Sequence, residues 1–112
     1  MLKTWHVSFS AGEEVLCRDE DDFNYLFNCI AIAIAKNDAS LLADSEMATH
    51  FHKCLRAENP LHVFHDVRYA YSRYFNRKYH RKGRLGEPRP FVIELDGLYH
   101  TLAALTYVIR NA

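Results

Sequence analysis

The sequence lacks the features that mark membrane and secreted proteins. No apolar run approaches the length of a membrane-spanning helix, and the N-terminus shows no signal peptide. The three cysteines, Cys17, Cys29 and Cys54, are odd in number and far apart, and they form no C-x-x-C motif. This argues against a disulfide framework. We therefore expect a cytoplasmic protein that does not bind membranes.

Length and composition fit one globular domain with a modest core. The chain has 112 residues, of which 49% are apolar and 25% are charged, both ordinary globular values. The sequence contains no internal repeat, low-complexity segment or interdomain linker. We expect residues 1–112 to form a single domain.

The net charge of zero conceals an uneven distribution of charge along the chain. Residues 1–50 contain 9 acidic and 3 basic residues, whereas residues 51–112 contain 5 acidic and 11 basic ones. Eight of the latter form a basic stretch: Arg68, Arg73, Arg77, Lys78, Arg81, Lys82, Arg84 and Arg89. Such a stretch suits a surface that binds DNA phosphates. A solvated helix face is the alternative.

Hydrophobic periodicity predicts an alternating order of strands and helices. Strands are expected over 2–9, 41–47, 50–56 and 91–95, and helices over about 19–37, 60–80 and 98–111. The order βαββαβ plus a final helix is typical of an α+β, ferredoxin-like fold with a four-stranded antiparallel sheet.

Two histidines separated by one residue are the clearest chemical feature. Residues i and i+2 of a strand share a face, so His50 and His52 are expected to project side by side, which suits two nitrogen ligands on one divalent cation. Cys54 would share that face, and a zinc site using all three residues stays open as an alternative. On the last helix, Tyr107 and Asn111 are four residues apart and share a face.

The apolar spacing of the last helix separates Tyr107 from the expected core. The predicted core stripe is Leu98, Leu102, Leu105 and Ile109. Tyr107 lies about 180° from that stripe. It therefore faces either solvent or a second surface such as an active site.

Four segments in order resemble the REP-associated tyrosine transposases, single-tyrosine transposases of the HUH nuclease superfamily. Residues 5–9, WHVSF, are similar to the opening strand of that family, and residues 47–52, MATHFH, to its M-P-N-H-x-H segment. Residues 69–83 resemble its Y-x-x-x-F-N-x-x-Y stretch, which ends in glycine. Residues 107–112, YVIRNA, are similar to Y-I-x-x-N-P.

The resemblance implies both a fold and a reaction. The fold would be ferredoxin-like, and the protein would cleave single-stranded DNA beside a hairpin in a prokaryotic cytoplasm. His50, His52 and Asn111 would ligate Mg²⁺ or Mn²⁺, and Tyr107 would be the nucleophile that forms a 5′-phosphotyrosine. The family includes monomer-like and homodimer-like members. The resemblance does not decide which oligomeric state this chain has.

The sequence departs from the family pattern at three points. It lacks the Pro-Asn before His50, Ala112 replaces a proline, and the chain ends there although relatives often continue. A copy truncated at the C-terminus is therefore one interpretation. Two alternatives stay open beside the nuclease: a non-catalytic module that binds single-stranded nucleic acid, and a small zinc protein that uses Cys54.

Overall fold

Strands and helices alternate as predicted over residues 2–10, 14–86 and 89–110, the part of the chain that the computed structural model describes. The elements are β1 (Lys3–Ser10), α1 (Glu20–Lys36), β2 (Ser40–Glu46), β3 (His50–Ala57), α2 (Pro60–Lys78), β4 (Phe91–Glu94) and α3 (Leu98–Arg110). Within these ranges, no helix has the length and apolarity needed to cross a membrane.

The four described strands form one antiparallel sheet in the order β2-β3-β1-β4. This order confirms the predicted ferredoxin-like fold, in which the third strand lies between the first and the second. The register places Ser8 of β1 and Ser45 of β2 opposite His52, and Ser10 opposite His50. The histidines therefore lie on an inner strand, with a neighbouring strand on each side.

The two faces of the sheet differ in character because side chains alternate along each strand. On one face, Val7, Phe9, Phe51 and Leu55 are buried in the main core beneath α1 and α2. The opposite face carries the histidines and is packed by α3, which contacts β2 and β3. We refer to these as the helix-layer face and the histidine face.

Lys53 is a buried charge on the helix-layer face. It lies between Phe51 and Leu55 on β3, and its ammonium donates to Asp44 Oδ1 at 2.6 Å and to Glu46 Oε1. Both carboxylates belong to β2. A buried ammonium is tolerated only when it is paired, so these bonds tie β2 to β3 next to His52.

The buried stripe of α1 is narrower than its apolar pattern predicts. Apolar residues at i, i+3, i+4 and i+7 spacing predict a core stripe of Phe23, Leu26, Phe27, Ile30, Ala31, Ile34 and Ala35. Phe27, Ala31 and Ala35 fit the pattern of a core stripe but are exposed. Cys29 and Ala33 are buried in addition to residues of the expected stripe. The pattern fails here because apolar residues nearly surround the C-terminal half of α1, so periodicity alone leaves the direction of packing undetermined.

The expected core stripe of α3 is wrong at three of its four positions, since Leu98, Leu102 and Ile109 are exposed. Ala104 and Val108 are buried instead, in a small cluster with Cys54. Both sides of α3 are apolar, so hydropathy could not distinguish the side that packs on the sheet. The smaller side chains are the ones that the sheet covers.

Asp22 joins α1 to α2 through a fully buried carboxylate, with 0% of the residue exposed. Tyr74 Oη donates to it at 2.7 Å and Lys78 Nζ at 2.8 Å, and the hydroxyl of Tyr79 and the backbone N–H of Arg18 donate as well. Burial by itself raises the pKa of this carboxyl, but the donors outweigh burial and hold the pKa well below its usual range.

The segment between α2 and β4 is anchored to the rest of the domain. The guanidinium of Arg81 donates twice to Glu14, and Leu85 is buried in the core. Gly86 has a φ of +75°, and a Cβ at this position would lie 2.5 Å from Phe9 Cζ. Glycine therefore lets the backbone pass close to β1 on its way to β4.

We expect Asp22→Asn to lower the free energy of unfolding by about 2 kcal/mol, because it removes the charge from a buried carboxylate that accepts four hydrogen bonds. Urea unfolding measures this. Asp21→Asn is the matched control, since Asp21 is exposed in the same first turn of α1. It should cost less than about 1 kcal/mol. Equal costs for the two variants would contradict the role of Asp22.

The stabilisation by Asp22 should also depend on pH. Its pKa in the folded state is lower than in the unfolded chain, where an aspartate titrates near ~3.9. The contribution is therefore present above about pH 4 and is lost as the pH falls toward the folded-state pKa. In urea unfolding from pH 7 to 2.5, the difference between wild type and Asp22→Asn should shrink below about pH 4. A constant or growing difference would refute this.

Candidate functional site

The two histidines of β3 lie side by side on the histidine face. The ring centroids of His50 and His52 are 5.3 Å apart and the rings are nearly perpendicular, at 89°. Metal–nitrogen bonds of about 2.1 Å would place two imidazole centroids on one ion within about 6.5 Å of each other. The observed spacing therefore fits two ligands of a shared cation.

The ring nitrogens of this pair are in states that suit metal binding. His50 Nδ1 lies 3.2 Å from Thr49 Oγ1, and when Nδ1 donates to this hydroxyl, Nε2 keeps its lone pair. His52 Nδ1 is buried and has no hydrogen-bond partner among the described residues. Burial lowers the pKa of His52, and His6 and His50 lower it further. A lowered pKa favours the neutral imidazole, which is the form that binds metal.

His6 is a third imidazole at this site. It lies on β1, with its ring 5.6 Å from that of His52 and 5.9 Å from that of Tyr107. Its Nε2 is buried without a partner among the described residues, and burial lowers its pKa. Sequence reasoning did not single out His6. The available signal was that His6 lies between Trp5 and Val7, among the alternate positions of β1 that carry polar residues. Only the pairing of β1 with β3 brings it to His52.

Tyr107 reaches the histidines from α3. Its ring centroid is 5.4 Å from that of His52, with the rings at 89°, and 51% of the residue is exposed. Val108, the next residue, is fully buried against the sheet and anchors this turn of the helix. Of the two positions that the sequence left open for Tyr107, the structure has the one that faces a second surface, where the ring lies beside His6 and His52.

The predicted third ligand, Asn111, lies outside the described residues. Within them, no three His, Cys, Asp or Glu side chains are arranged to hold a metal ion. The zinc site with Cys54 is therefore not formed in this part of the chain. Cys54 is buried with Leu95 and Ala104 instead, and burial raises the pKa of its thiol to about 11. Burial therefore keeps this thiol protonated in the metal-free protein.

An open depression of about 510 Å³ adjoins the histidine pair. Its walls include Ser8, Ser10, Arg89 and Phe91, in addition to the two histidines. Arg89 and Phe91 are both exposed. A cation suits a phosphate and an open aromatic ring suits a nucleobase.

The basic stretch does not form one surface. Lys78 pairs with Asp19 at 2.6 Å and with Asp22, and Arg81 pairs with Glu14. Arg89 lies at the histidine pair, whereas Arg73 and Arg77 are exposed on α2 in the helix layer. The remaining three are Arg68, partly buried over the Phe64 ring, and the exposed Lys82 and Arg84.

Comparisons with known proteins relate the chain to transposases by fold. No family profile and no curated protein matches the sequence. A solved REP-associated tyrosine transposase bound to a REP hairpin matches with a TM-score of 0.79 and 10% identity, over 97% of this chain and 66% of that one. A candidate transposase from Deinococcus radiodurans matches with a TM-score of 0.67 and 18% identity, over 99% of this chain and 91% of that one.

These likenesses show that the chain has the fold of a REP-associated tyrosine transposase, as its resemblance implied. The chain spans less than two thirds of the length of that transposase. At such identities the agreement concerns the backbone fold.

The three thiols should be nearly inert in the folded protein. Cys17, Cys29 and Cys54 are all buried, and burial raises the pKa of each to about 11. At pH 8 we expect Ellman's reagent to react with the folded protein at least ~100-fold more slowly than with the protein in guanidinium. Fast, stoichiometric labelling of Cys54 in the folded protein would revive the zinc alternative.

Proposed function

We propose that this chain is a transposase-like enzyme, a metal-dependent endonuclease and strand transferase for single-stranded DNA. The observation that carries this proposal is the meeting of His50, His52 and Tyr107 on the histidine face of the sheet. A pair of imidazole ligands beside a phenol can hold a cation next to a nucleophile, which suits metal-assisted cleavage of a phosphodiester by a tyrosine. The shared fold supports the same conclusion.

His50 and His52 would hold Mg²⁺ or Mn²⁺, with Asn111 as the third protein ligand. Their ring spacing and the unpaired Nδ1 of His52 support two of these three roles. When bound, the ion neutralises charge on the phosphate and polarises it. Arg89 lines the same depression and would bind a neighbouring phosphate.

Tyr107 would act as the nucleophile. Its phenol oxygen attacks phosphorus, the bond from phosphorus to the 3′-oxygen breaks, and the phosphate stays on Tyr107 as a 5′-phosphotyrosine. The phenol loses a proton and the departing 3′-oxygen gains one, so that no water is consumed. A 3′-hydroxyl from another strand can reverse the step, because the phosphotyrosine retains the energy of the original bond. The chemistry therefore favours strand transfer over degradation.

The DNA would be single-stranded at the cleaved bond. An exposed aromatic ring such as Phe91 can stack on an unpaired base but not on one inside a duplex. The solved transposase of the same fold is bound to a hairpin. By analogy with it, we propose that a hairpin flanks the cleavage site of this protein.

A covalent-adduct assay tests this function. Single-stranded DNAs with varied hairpins are incubated with the protein and Mn²⁺ and separated on a denaturing gel. DNA labelled at its 3′ end should give a band shifted by the mass of the protein, and DNA labelled at its 5′ end should give a shorter, free fragment. Tyr107→Phe should lose both products. Tyr99→Phe, an exposed tyrosine on the same helix, is the matched control and should keep them.

Two results would count against the proposal. An adduct of normal yield in Tyr107→Phe would rule out this nucleophile. The absence of any adduct, together with DNA binding that does not respond to Mn²⁺, would favour the non-catalytic binding module. The histidines can be tested separately, because His52→Ala should abolish the adduct while thermal unfolding reports whether the fold is intact.

A further inference from the structure

A second open groove lies between α1 and α2 in the helix layer. It has a volume of about 540 Å³ and is lined by Tyr25, Tyr69, Ala70, Arg73, Tyr74, Arg77 and Lys78. The helix layer covers the face of the sheet opposite the histidines. The candidate active site does not account for this combination of aromatic rings and cations.

The tyrosines of the groove form a fixed but open aromatic surface. Tyr25 stacks on Tyr74 with centroids 4.0 Å apart and an interplanar angle of 11°. Tyr74 is itself held by its hydrogen bond to the buried Asp22. Yet 43% of Tyr25 and 60% of Tyr69 are exposed. Rings that are already ordered lose little conformational entropy when a base stacks on them.

Two arginines beside these rings pair with no acidic residue in the described part of the chain. Arg73 and Arg77 are one turn apart and exposed on α2, and no carboxylate among the described residues pairs with either. Arg73 Nη1 donates to Tyr69 Oη at 3.3 Å, so a cation and an aromatic ring are joined at the groove. Lys78 differs, because its ammonium is already bonded to Asp19 and Asp22.

The charges along the groove give it a direction. A neighbouring depression shares Tyr25 and Tyr69 and contains Asp66, whose carboxylate lies 3.9 Å from Lys36 Nζ and accepts from Asn37 Nδ2 at 2.9 Å. The charges of Asp66 and Lys36 offset each other at that end, so a phosphate would be attracted to the end with Arg73 and Arg77. Bases would then lie over the tyrosines, between the two ends.

We propose that this groove is a second binding site for single-stranded DNA, with bases stacked on Tyr25 and Tyr69 and phosphates bound by Arg73 and Arg77. The inference extends the proposed function, since it takes the same class of ligand, but it needs neither metal nor cleavage. Unpaired bases are required because bases inside a duplex cannot stack on side chains. An acidic peptide would use the arginines and leave the tyrosines without a role.

A strand bound here would lie on the other side of the sheet from Tyr107. One strand would have to pass around an edge of the sheet to occupy both sites, so a short oligonucleotide would reach only one of them. The groove would hold a distal part of a long strand, or a second strand, while the histidine face holds the phosphodiester to be cleaved.

Fluorescence anisotropy with labelled oligo-dT in EDTA tests the proposal without metal or cleavage. Tyr69→Ala should weaken binding about ten-fold, the size expected for one lost base stack, and Tyr69→Phe should restore most of it. Arg73→Gln should reduce the slope of log K against log salt by about 0.7, the value for one phosphate contact on a single strand. Tyr99→Ala and Arg56→Gln are matched controls outside the groove and should change neither quantity.

Photocrosslinking locates the strand directly. Oligonucleotides carrying 5-iododeoxyuridine should crosslink to peptides from α1 and α2, and mass spectrometry should identify Tyr25 or Tyr69. The proposal fails if Tyr69→Ala and Tyr99→Ala bind equally well, if crosslinks fall only near Phe91, or if polyglutamate competes as strongly as oligo-dT. Loss of groove binding with a normal adduct assay, or the reverse, separates this proposal from the proposed nuclease.

Discussion

The alternation of side chains along β3 is the constraint on which the rest of this structure depends. Phe51 and Leu55 must face α1 and α2, because burying them forms the main core. A strand has a period of two, so His50 and His52 are then directed to the opposite face. A shift of the β3 pairing register by one residue would bury both imidazoles and expose Phe51. The same alternation of side chains along β3 therefore determines both the packing of the core and the geometry of the site.

The neighbours of β3 convert this pair of histidines into a site. β1 adds His6 next to His52, and α3 brings Tyr107 over the same face. The small residues Ala104 and Val108 let α3 lie on the sheet, while Leu98, Leu102 and Ile109 are exposed. The sheet thus separates a face with imidazoles and a phenol from a helix layer with tyrosines and arginines.

The sequence predicted the element order, most boundaries and the side-by-side histidines, because these follow from local periodicity. It did not predict which side of α3 would be buried, since both sides are apolar and only the packing partner decides. His6 was missed for a related reason. A single histidine on a strand has no local signal of function, and its role depends on the strand that pairs with it.

By itself the sequence determined that this chain alternates strands and helices in the order of a ferredoxin-like fold, and that two imidazoles share one face of a strand. Only the tertiary structure decided that Tyr107 meets them and that Lys78 and Arg81 are bound by carboxylates. It also decided that Arg73 and Arg77 pair with no carboxylate among residues 2–10, 14–86 and 89–110. The physical reason is the distance along the sequence between the residues that determine each feature. Side-chain phase within an element is set by backbone geometry, whereas contacts between distant residues depend on strand register and on which surfaces pack together.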